Sequence, residues 1–306
     1  MPPKRILVTG TSGLVGNAIA CRLAADGRSV VGLDLSAPSS ETAPFQVVVA
    51  NINDIDLLAR LIDDHRIEAI VHCAGVSSSR LFPDDPYRVC EANVFGAIHM
   101  LEVARLRKIK RFVHCSSASV YGNAPSDGPL TEEAAFQPAA VYGATKAASD
   151  LLLRAYRVQY GLDGVALRIR NVYGPGRMVS SDLTAAVEAG LAGEPRTIDL
   201  VAKARAQYIY IDDVVDALRL ALDHPSFDRH AYNIAGPGFP SNAELVAIVN
   251  EVIKGARVSL VSNAGAPAHL TKPLDIGNAQ REIGFSPAFD LRRGIAVLAE
   301  WLRTNS

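Results

Sequence analysis

Tyr142 and Lys146 stand four residues apart in the stretch Tyr142-Gly-Ala-Thr-Lys146. At that spacing two side chains lie one above the other on a single face of an α-helix. A phenol is a poor base at neutral pH, and a fixed ammonium beside it favours the phenolate, so the pair suits proton transfer to and from a hydroxyl group. Such a pair also arises by chance, and its company is what gives it weight. A glycine-rich turn opens at Gly10, and a serine cluster, Ser116-Ser117-Ala118-Ser119, comes about 25 residues before Tyr142.

These residues need elements to position them. The turn Gly10-Thr-Ser12-Gly13-Leu14-Val15-Gly16 lies between the apolar run of residues 5–9 and a helical pattern through Ala18, Ile19 and Leu23. In a strand, glycine turn and helix of this kind, free backbone N–H groups and the positive end of the helix meet a pyrophosphate. A second strand-like run, residues 29–33, ends in Asp34. A carboxylate there accepts hydrogen bonds from the adenosine ribose and repels a 2′-phosphate; with no basic residue in 35–38 this predicts NAD over NADP, the plain alternative being an Asp that caps a turn. Further strand-like runs at 46–49, 69–72, 111–115 and 164–169 alternate with helical patterns near 57–64, 87–106 and 142–160. That alternation predicts an α/β fold, a Rossmann-type doubly wound parallel sheet. Ligands of such sheets bind outside the carboxyl ends of the strands, which puts Ser116 and Ser117 in the site. The loop 122–137, rich in Pro, Gly and acidic residues, is long enough to fold over a substrate. His72 and His114 lie in apolar strand patterns and read as core histidines.

Beyond about residue 175 helical stretches near 183–191, 214–222, 242–253 and 291–302 mix with short strands near 207–211 and 231–234. The expected division is therefore 1–175 for the nucleotide-binding half and 176–306 for a second part packed directly on it. Asp212 and Asp213 read as caps of the helix that follows, since no His or Cys stands at ligand spacing, and no metal is expected. The composition narrows the partners. At 306 residues, 49% hydrophobic and 21% charged, with a net charge of −1, the chain buries a large core and offers no cationic excess to nucleic acid or a membrane surface. The cysteines, Cys21, Cys73, Cys90 and Cys115, show no C-x-x-C spacing and are expected as free thiols. The start, Met1-Pro-Pro-Lys-Arg5, leads straight into Ile6-Leu-Val8, and no run approaches the length of a membrane span, so a cytoplasmic protein is expected.

Gly10-x-x-Gly13-x-x-Gly16, Asp34, Ala74-Gly75, Asn93-x-x-Gly96, Ser117-Ala-Ser-Val-Tyr-Gly122, Tyr142-x-x-x-Lys146 and Asn171-Val-Tyr-Gly-Pro175 span nearly the whole chain. In these motifs the chain resembles the extended short-chain dehydrogenase/reductase family, the group of NAD-dependent sugar epimerases and dehydratases. The resemblance implies that NAD is held by Gly10, Ser12, Gly13, Leu14, Val15, Gly16, Asp34, Asn51, Ile52, Ala74, Gly75 and Asn93, with Tyr142 and Lys146 at its nicotinamide end. It implies that Tyr142 is the catalytic base, that Lys146 holds the nicotinamide ribose, and that Ser117, three positions before Val120-Tyr-Gly, hydrogen-bonds the reacting sugar oxygen. Ser119, Asn171 and Arg177 join Ser117 on the substrate side. The resemblance further implies that 176–306 is a smaller α/β substrate region whose segments interleave with the NAD-binding domain, and that the chain forms a homodimer paired through the helices near 90–106 and 143–160.

The chain departs from the family pattern in three places. Asn51 stands where an acidic residue is usual. Ala118-Ser119 stand where dehydratases carry Asp-Glu, which argues against dehydration. Ala206-Gln207 occupy the Arg-Asp positions of nucleotide-sugar members, and no Arg-Pro-Gly-Asp stretch is evident in 264–275, leaving Arg177, Lys203 and Lys272 to meet a diphosphate. The expected activity is oxidation of a secondary hydroxyl on a carbohydrate-type substrate with NAD as acceptor. The expected outcome is epimerisation of a sugar or nucleotide sugar, which the family and Ser117-Ala-Ser-Val-Tyr-Gly122 favour; the alternative, which the missing arginine favours, is release of an oxidised free sugar, sugar acid or small polyol. A non-catalytic NAD-binding regulator is a third reading, disfavoured because both Tyr142 and Lys146 are kept.

Overall fold

Ile6 and Val8 point to one side of their strand and Leu7 to the other, and none of the three is exposed to solvent. A strand buried on both faces belongs in a sheet covered by helices on both sides. The computed structural model, which describes residues 2–36, 43–77, 81–177, 181–261 and 272–305, has that architecture. Along the chain come β1 (Arg5–Thr9), α1 (Leu14–Ala25), β2 (Ser29–Asp34), β3 (Gln46–Val49), α2 (Ile55–Asp64) and β4 (Ala69–His72). Next, α3 (Pro86–Cys90) passes through a π-helical stretch, Glu91–Phe95, into α4 (Gly96–Leu106), followed by β5 (Arg111–Ser117), α5 (Val141–Tyr160) and β6 (Gly164–Ile169). The remainder holds β7 (Val172–Tyr173), α6 (Asp182–Leu191), β8 (Arg196–Ile198), β9 (Ile209–Tyr210), α7 (Ile211–Asp223), β10 (Ala231–Ile234), α8 (Asn242–Val252), β11 (Val258–Leu260), α9 (Gly277–Ile283) and α10 (Leu291–Asn305).

Seven strands form one parallel sheet in the order β3-β2-β1-β4-β5-β6-β10, so the chain reverses direction across the sheet between β1 and β4. On one face, Ile19 and Leu23 of α1 and Val214, Leu218 and Leu222 of α7 pack against Ile6, Val8, Val71, Val113 and Leu167. On the other, Leu58, Met100, Leu101 and Leu153 from α2, α4 and α5 pack against Leu7, Leu33, Ile70 and Phe112. Each fully buried aliphatic side chain contributes roughly 1.5–3 kcal/mol, so these two layers fix the strands whose carboxyl ends carry the site. A third cluster, around Leu183, Val187, Leu245, Val249 and Leu298, joins α6, α8 and α10 to the two-stranded ribbons β7–β9 and β8–β11.

The parallel doubly wound sheet is the one the strand and helix alternation predicts. Its seventh strand, β10, and the covering helix α7 come from beyond residue 175. Three local readings change. The pattern over 87–106 is not one uniform helix but carries the π-helical stretch around Asn93. The strand expected over 207–211 shrinks to Ile209–Tyr210, because Ile211 already starts α7. Asp212 and Asp213 therefore lie inside the first turn and cap nothing: Asp213 instead accepts the N–H groups of Ala288, at 2.7 Å, and Phe289, at 3.2 Å, tying the segment before α10 to α7.

Candidate active site

The glycine turn is shaped by contacts that admit no side chain. Gly10 has φ +79°, and a Cβ there would lie 2.7 Å from the Ala74 nitrogen; a Cβ on Gly16 would lie 2.1 Å from the Gly10 carbonyl oxygen. The turn thus lies hard against the end of β4, with α1 packed close behind it. Gly13 is the N-cap of α1 and supplies no side-chain cap, so the first N–H groups of the helix, from Leu14 onward, point into the space beyond the turn. That cradle fits a dinucleotide pyrophosphate. Asp34, at the carboxyl end of β2, accepts from Ser12 N at 2.8 Å and from Leu35 N at 2.7 Å, which aims the carboxylate along the edge of the turn and leaves lone pairs for ribose hydroxyls. Asn51, exposed at the end of β3, spends its Oδ1 on Asn53 N at 3.0 Å, while Ile52 is buried against Gly96.

Ala74 and Gly75 follow β4 and are held from two sides. Thr9 Oγ1 accepts from Ala74 N at 3.1 Å and lies 2.8 Å from His72 Nδ1. Burial, and next the nearby Lys146 ammonium, pushes His72 down to about 3; the same influences, with His72 itself, hold His114 low, so both stacked rings are neutral. On the other side Asn93 Oδ1 accepts from Val76 N at 2.7 Å, and its Nδ2 donates to Val76 O at 3.2 Å and to Thr145 Oγ1 at 2.9 Å. A Cβ on Gly75, φ +136°, would sit 2.5 Å from Asn93 Oδ1. Asn93 is 3% exposed with both donors used inside the protein, so it acts on the cofactor cradle by fixing the Gly75 turn to α5.

The reactive groups meet where β5 ends. Adjacent residues of an extended strand face opposite sides, and this separates the two serines. Ser116 is buried towards Asp150, whereas Ser117 is half exposed, donates to Ser119 Oγ at 3.1 Å and accepts from Ser119 N at 3.2 Å. Lys146, 6% exposed, donates from Nζ to Cys115 O at 3.0 Å, which pins it to the same strand two residues before Ser117. Its Nζ would be 4.0 Å from a Cβ on Gly75, so it also reaches the cofactor cradle. Tyr142, four residues earlier on α5, is half buried, and among the described residues its hydroxyl has no hydrogen-bond partner. One side of this arrangement can relay a proton while the other holds a cofactor. Tyr121 cannot compete as base: burial pushes its phenol up to about 12, and it donates to Asn233 Oδ1 at 2.7 Å. Cys73, just beyond β4, and Cys115, on β5, are free thiols with sulfurs 2.9 Å apart, and among the described residues no cluster of His, Cys, Asp and Glu could hold a metal ion.

On the substrate side Asn171 donates from Nδ2 to Gln207 O at 3.0 Å, and Arg177 donates to Val172 O. Gln207 is 6% exposed and bridges Gly236 O, at 3.2 Å, and Leu274 N, at 2.8 Å, so it knits loops together; Arg205 pairs with Glu244 at 3.2 Å. The 264–271 part of the segment expected to lack an arginine motif lies outside the described residues, as do 37 and 38 beyond Asp34. Two features escaped the sequence. One is the buried network in which Arg168 pairs with Asp150 at 2.7 Å and donates to Tyr121 Oη and Glu132 O, both at 2.8 Å; it locks the 122–137 loop and α5 onto β6. The other is Arg170, two residues on, which has no such partners. An arginine inside an apolar strand run was the available signal for both.

Residues 6–235 match the family model described as the NAD dependent epimerase/dehydratase family. Over 318 aligned positions the chain is 34% identical to a UDP-glucose 4-epimerase of Mycolicibacterium smegmatis, covering 99% of each. Among solved structures it superposes on a UDP-glucose 4-epimerase of Thermotoga maritima crystallised with UDP-glucose, with TM-score 0.87 and 26% identity over 98% of this chain and 99% of that one. It also superposes on MoeE5 in complex with UDP-glucuronic acid and NAD, with TM-score 0.85 and 28% identity over 99% of this chain and all of the other.

Proposed function

Since the chain belongs to the NAD-dependent epimerase/dehydratase family, we propose that it is a sugar epimerase that oxidises and re-reduces a secondary hydroxyl of a nucleotide-linked sugar. The observation that carries this is the convergence at the end of β5: Lys146 fixed to Cys115 O, Ser117 opening into the cleft, and the Tyr142 hydroxyl without a protein partner. Bound NAD⁺ supplies the hydride acceptor and, after reduction, the donor. The glycine cradle and Asp34 hold the dinucleotide, and Lys146 orients its nicotinamide ribose. Ser117 hydrogen-bonds the reacting sugar oxygen while Tyr142 takes the hydroxyl proton and later returns it. Ser119 and Asn171 line the sugar side. Residues 1–175 carry the cofactor work and 176–306 most of the substrate surface, apart from α7 and β10, which serve the sheet.

Ala118 and Ser119 place no carboxylic acid after Ser117, which favours epimerisation over loss of water. One observation supports a second reading, a dehydrogenase that releases its ketone: the Arg205 guanidinium pairs with Glu244 and Gln207 is spent on loop contacts, so the usual diphosphate grip is weak. The two are separated by incubating the NAD-loaded protein with UDP-glucose, UDP-galactose and UDP-glucuronate while following sugar stereochemistry and absorbance at 340 nm. Interconversion without net NADH supports the epimerase; stoichiometric NADH with no stereochemical scrambling overturns it in favour of the dehydrogenase. Among the described residues no helix is long and apolar enough to cross a membrane, and the reading puts the enzyme in the cytoplasm, where NAD is available. Exposed apolar residues on α3, α4 and α5 support a homodimer.

A further inference from the structure

Arg170 follows Ile169, the last residue of β6, at the carboxyl end of the sheet. Its N–H donates to Ile234 O at 3.0 Å, which continues the β6–β10 ladder for one more step and fixes the side from which its side chain leaves. Strand residues two apart share a face, so Arg170 leaves on the side of Arg168, whose guanidinium meets Asp150 of α5. One such step advances about 6.6 Å along the strand, and the four residues from Asp150 back to Lys146 advance about 6 Å along α5, which runs the opposite way. Arg170 thus comes level with Lys146, and with Ser117, whose Cα pairs with that of Ile169.

At this level the Arg170 side chain makes no hydrogen bond or ion pair among the described residues. Its Nε is sealed from solvent without a partner, whereas the two terminal nitrogens, also unbonded, are open to solvent. Burial alone pushes its pKa down, with no carboxylate to oppose it. The contrast with Arg168, one pleat below and fully paired, is direct. A guanidinium drawn out of water without a counter-charge is costly, and it is tolerated where a ligand brings the charge. The pyrophosphate of the cofactor is out of reach: its cradle follows β1, three strands from β6 and roughly 14 Å away at about 4.8 Å per strand.

Building on the nucleotide-sugar reading, we infer that Arg170 receives a carboxylate borne by the sugar that is oxidised, and so selects uronate substrates. Its height, level with Lys146 and one residue beyond the step that pairs with Ser117, assigns the charge to the reacting sugar rather than to the diphosphate. A planar fork with open terminal nitrogens matches a carboxylate in bidentate fashion. Calorimetry on the NAD-loaded protein with UDP-glucuronate, UDP-glucose and UDP tests this, using the intact chain and its Arg170→Gln and Arg170→Lys variants. The intact chain is expected to bind UDP-glucuronate about tenfold or more tighter than UDP-glucose. Arg170→Gln should remove that difference by weakening the uronate alone, Arg170→Lys should keep part of it, and the ligand-free Arg170→Gln protein should melt no lower than the parent. Equal affinity of the parent for the two sugars overturns the inference and leaves the epimerase reading standing. Loss of all three ligands alike in Arg170→Gln also overturns it, because the fork then serves the diphosphate. So does a lower melting temperature of the ligand-free variant, which would reveal a protein partner. Binding of none of the three by the parent removes the nucleotide-sugar reading and this inference together.

Discussion

Lys146 and Ser117 owe their places to one or two hydrogen bonds each and Tyr142 to its seat on α5, which makes each role separable by substitution. Tyr142→Phe keeps the ring that is half buried on α5 and removes only the hydroxyl. Turnover of the epimerised sugar should fall by roughly 10²–10⁴ with NAD affinity nearly unchanged. Lys146→Ala should lower both, because it frees Cys115 O and empties the space beside Gly75. A Tyr142→Phe protein with most of its activity would place the base elsewhere. At Asp34, NAD should bind at least about tenfold tighter than NADP, on the order of 1.4 kcal/mol. Fluorescence titration of Asp34→Ser combined with Leu35→Arg should narrow or reverse that ratio; equal affinities in the parent would remove Asp34 from the specificity. At this scale residue type and spacing picked out the glycines, Asp34, the serine cluster, Tyr142 and Lys146, while the choice of Ser117 within the cluster rested on the family pattern. Arg170 was hidden: its meaning lies in the partners it lacks, and a missing partner leaves no mark in a pattern.

The elements convert those residues into a site through strained or neutral groups that a sequence does not display. Long alternating elements were read correctly because burial on two faces imposes a run or a period. Two- and three-residue strands such as β7, β8 and β11 carry no period at all, and the π-helical stretch that presents Asn93 leaves the same apolar pattern as an α-helix. The ends of β4 and β5 supply a test. His72 and His114 are 1% and 2% exposed and face the Lys146 ammonium, so folding keeps both neutral. The unfolded chain, with histidines near 6.5, binds more protons than the folded one at any pH below that value and above about 3, where His72 titrates. Stability is therefore full above about pH 7 and falls as pH drops, by up to about 1.4 kcal/mol per unit for each histidine. Urea denaturation between pH 7 and pH 5 should show this loss, to which His230, pushed down to about 4 chiefly by burial, adds, so His114→Phe, which keeps a flat ring, should remove about a third of the slope. The carboxyl of Glu68, held down at about 2 chiefly by the Lys4 N–H, does not interfere, since it begins to matter only below its ordinary range. An unchanged slope in His114→Phe would mean that the loss comes from other groups.

At the scale of the whole molecule, the division of labour follows from where the chain crosses back. After leaving the main sheet at β6 it builds the α6, α8 and α10 layer, but it returns twice, with α7 beside α1 over β4, β5 and β6 and with β10 at the sheet edge, so neither part folds around a core of its own alone. A sequence read from left to right assigns such returning pieces to the second part, since nothing local distinguishes β10 from any other short strand. The outer surface poses the remaining question. Tyr87, Phe95 and Leu106 on α3, the π-helical stretch and α4, and Leu151, Val158 and Tyr160 on α5, are 46–80% exposed, and these helices pack side by side. Leu151 and Val158 are seven residues apart and so project from the same face of α5. Apolar side chains gathered on two adjacent helices mark a surface that another molecule covers, and a second copy, offering the same two helices about a twofold axis, would bury them in a four-helix bundle. Light scattering after size-exclusion chromatography should therefore give twice the chain mass at micromolar concentration. Leu151→Asp combined with Val158→Asp puts two charges on that face without touching the core, so it should yield a monomer that still binds NAD and melts at a lower temperature. A parent chain that elutes at its own mass of 32.6 kDa would defeat the bundle, and a double variant that remains dimeric would move the interface to another face.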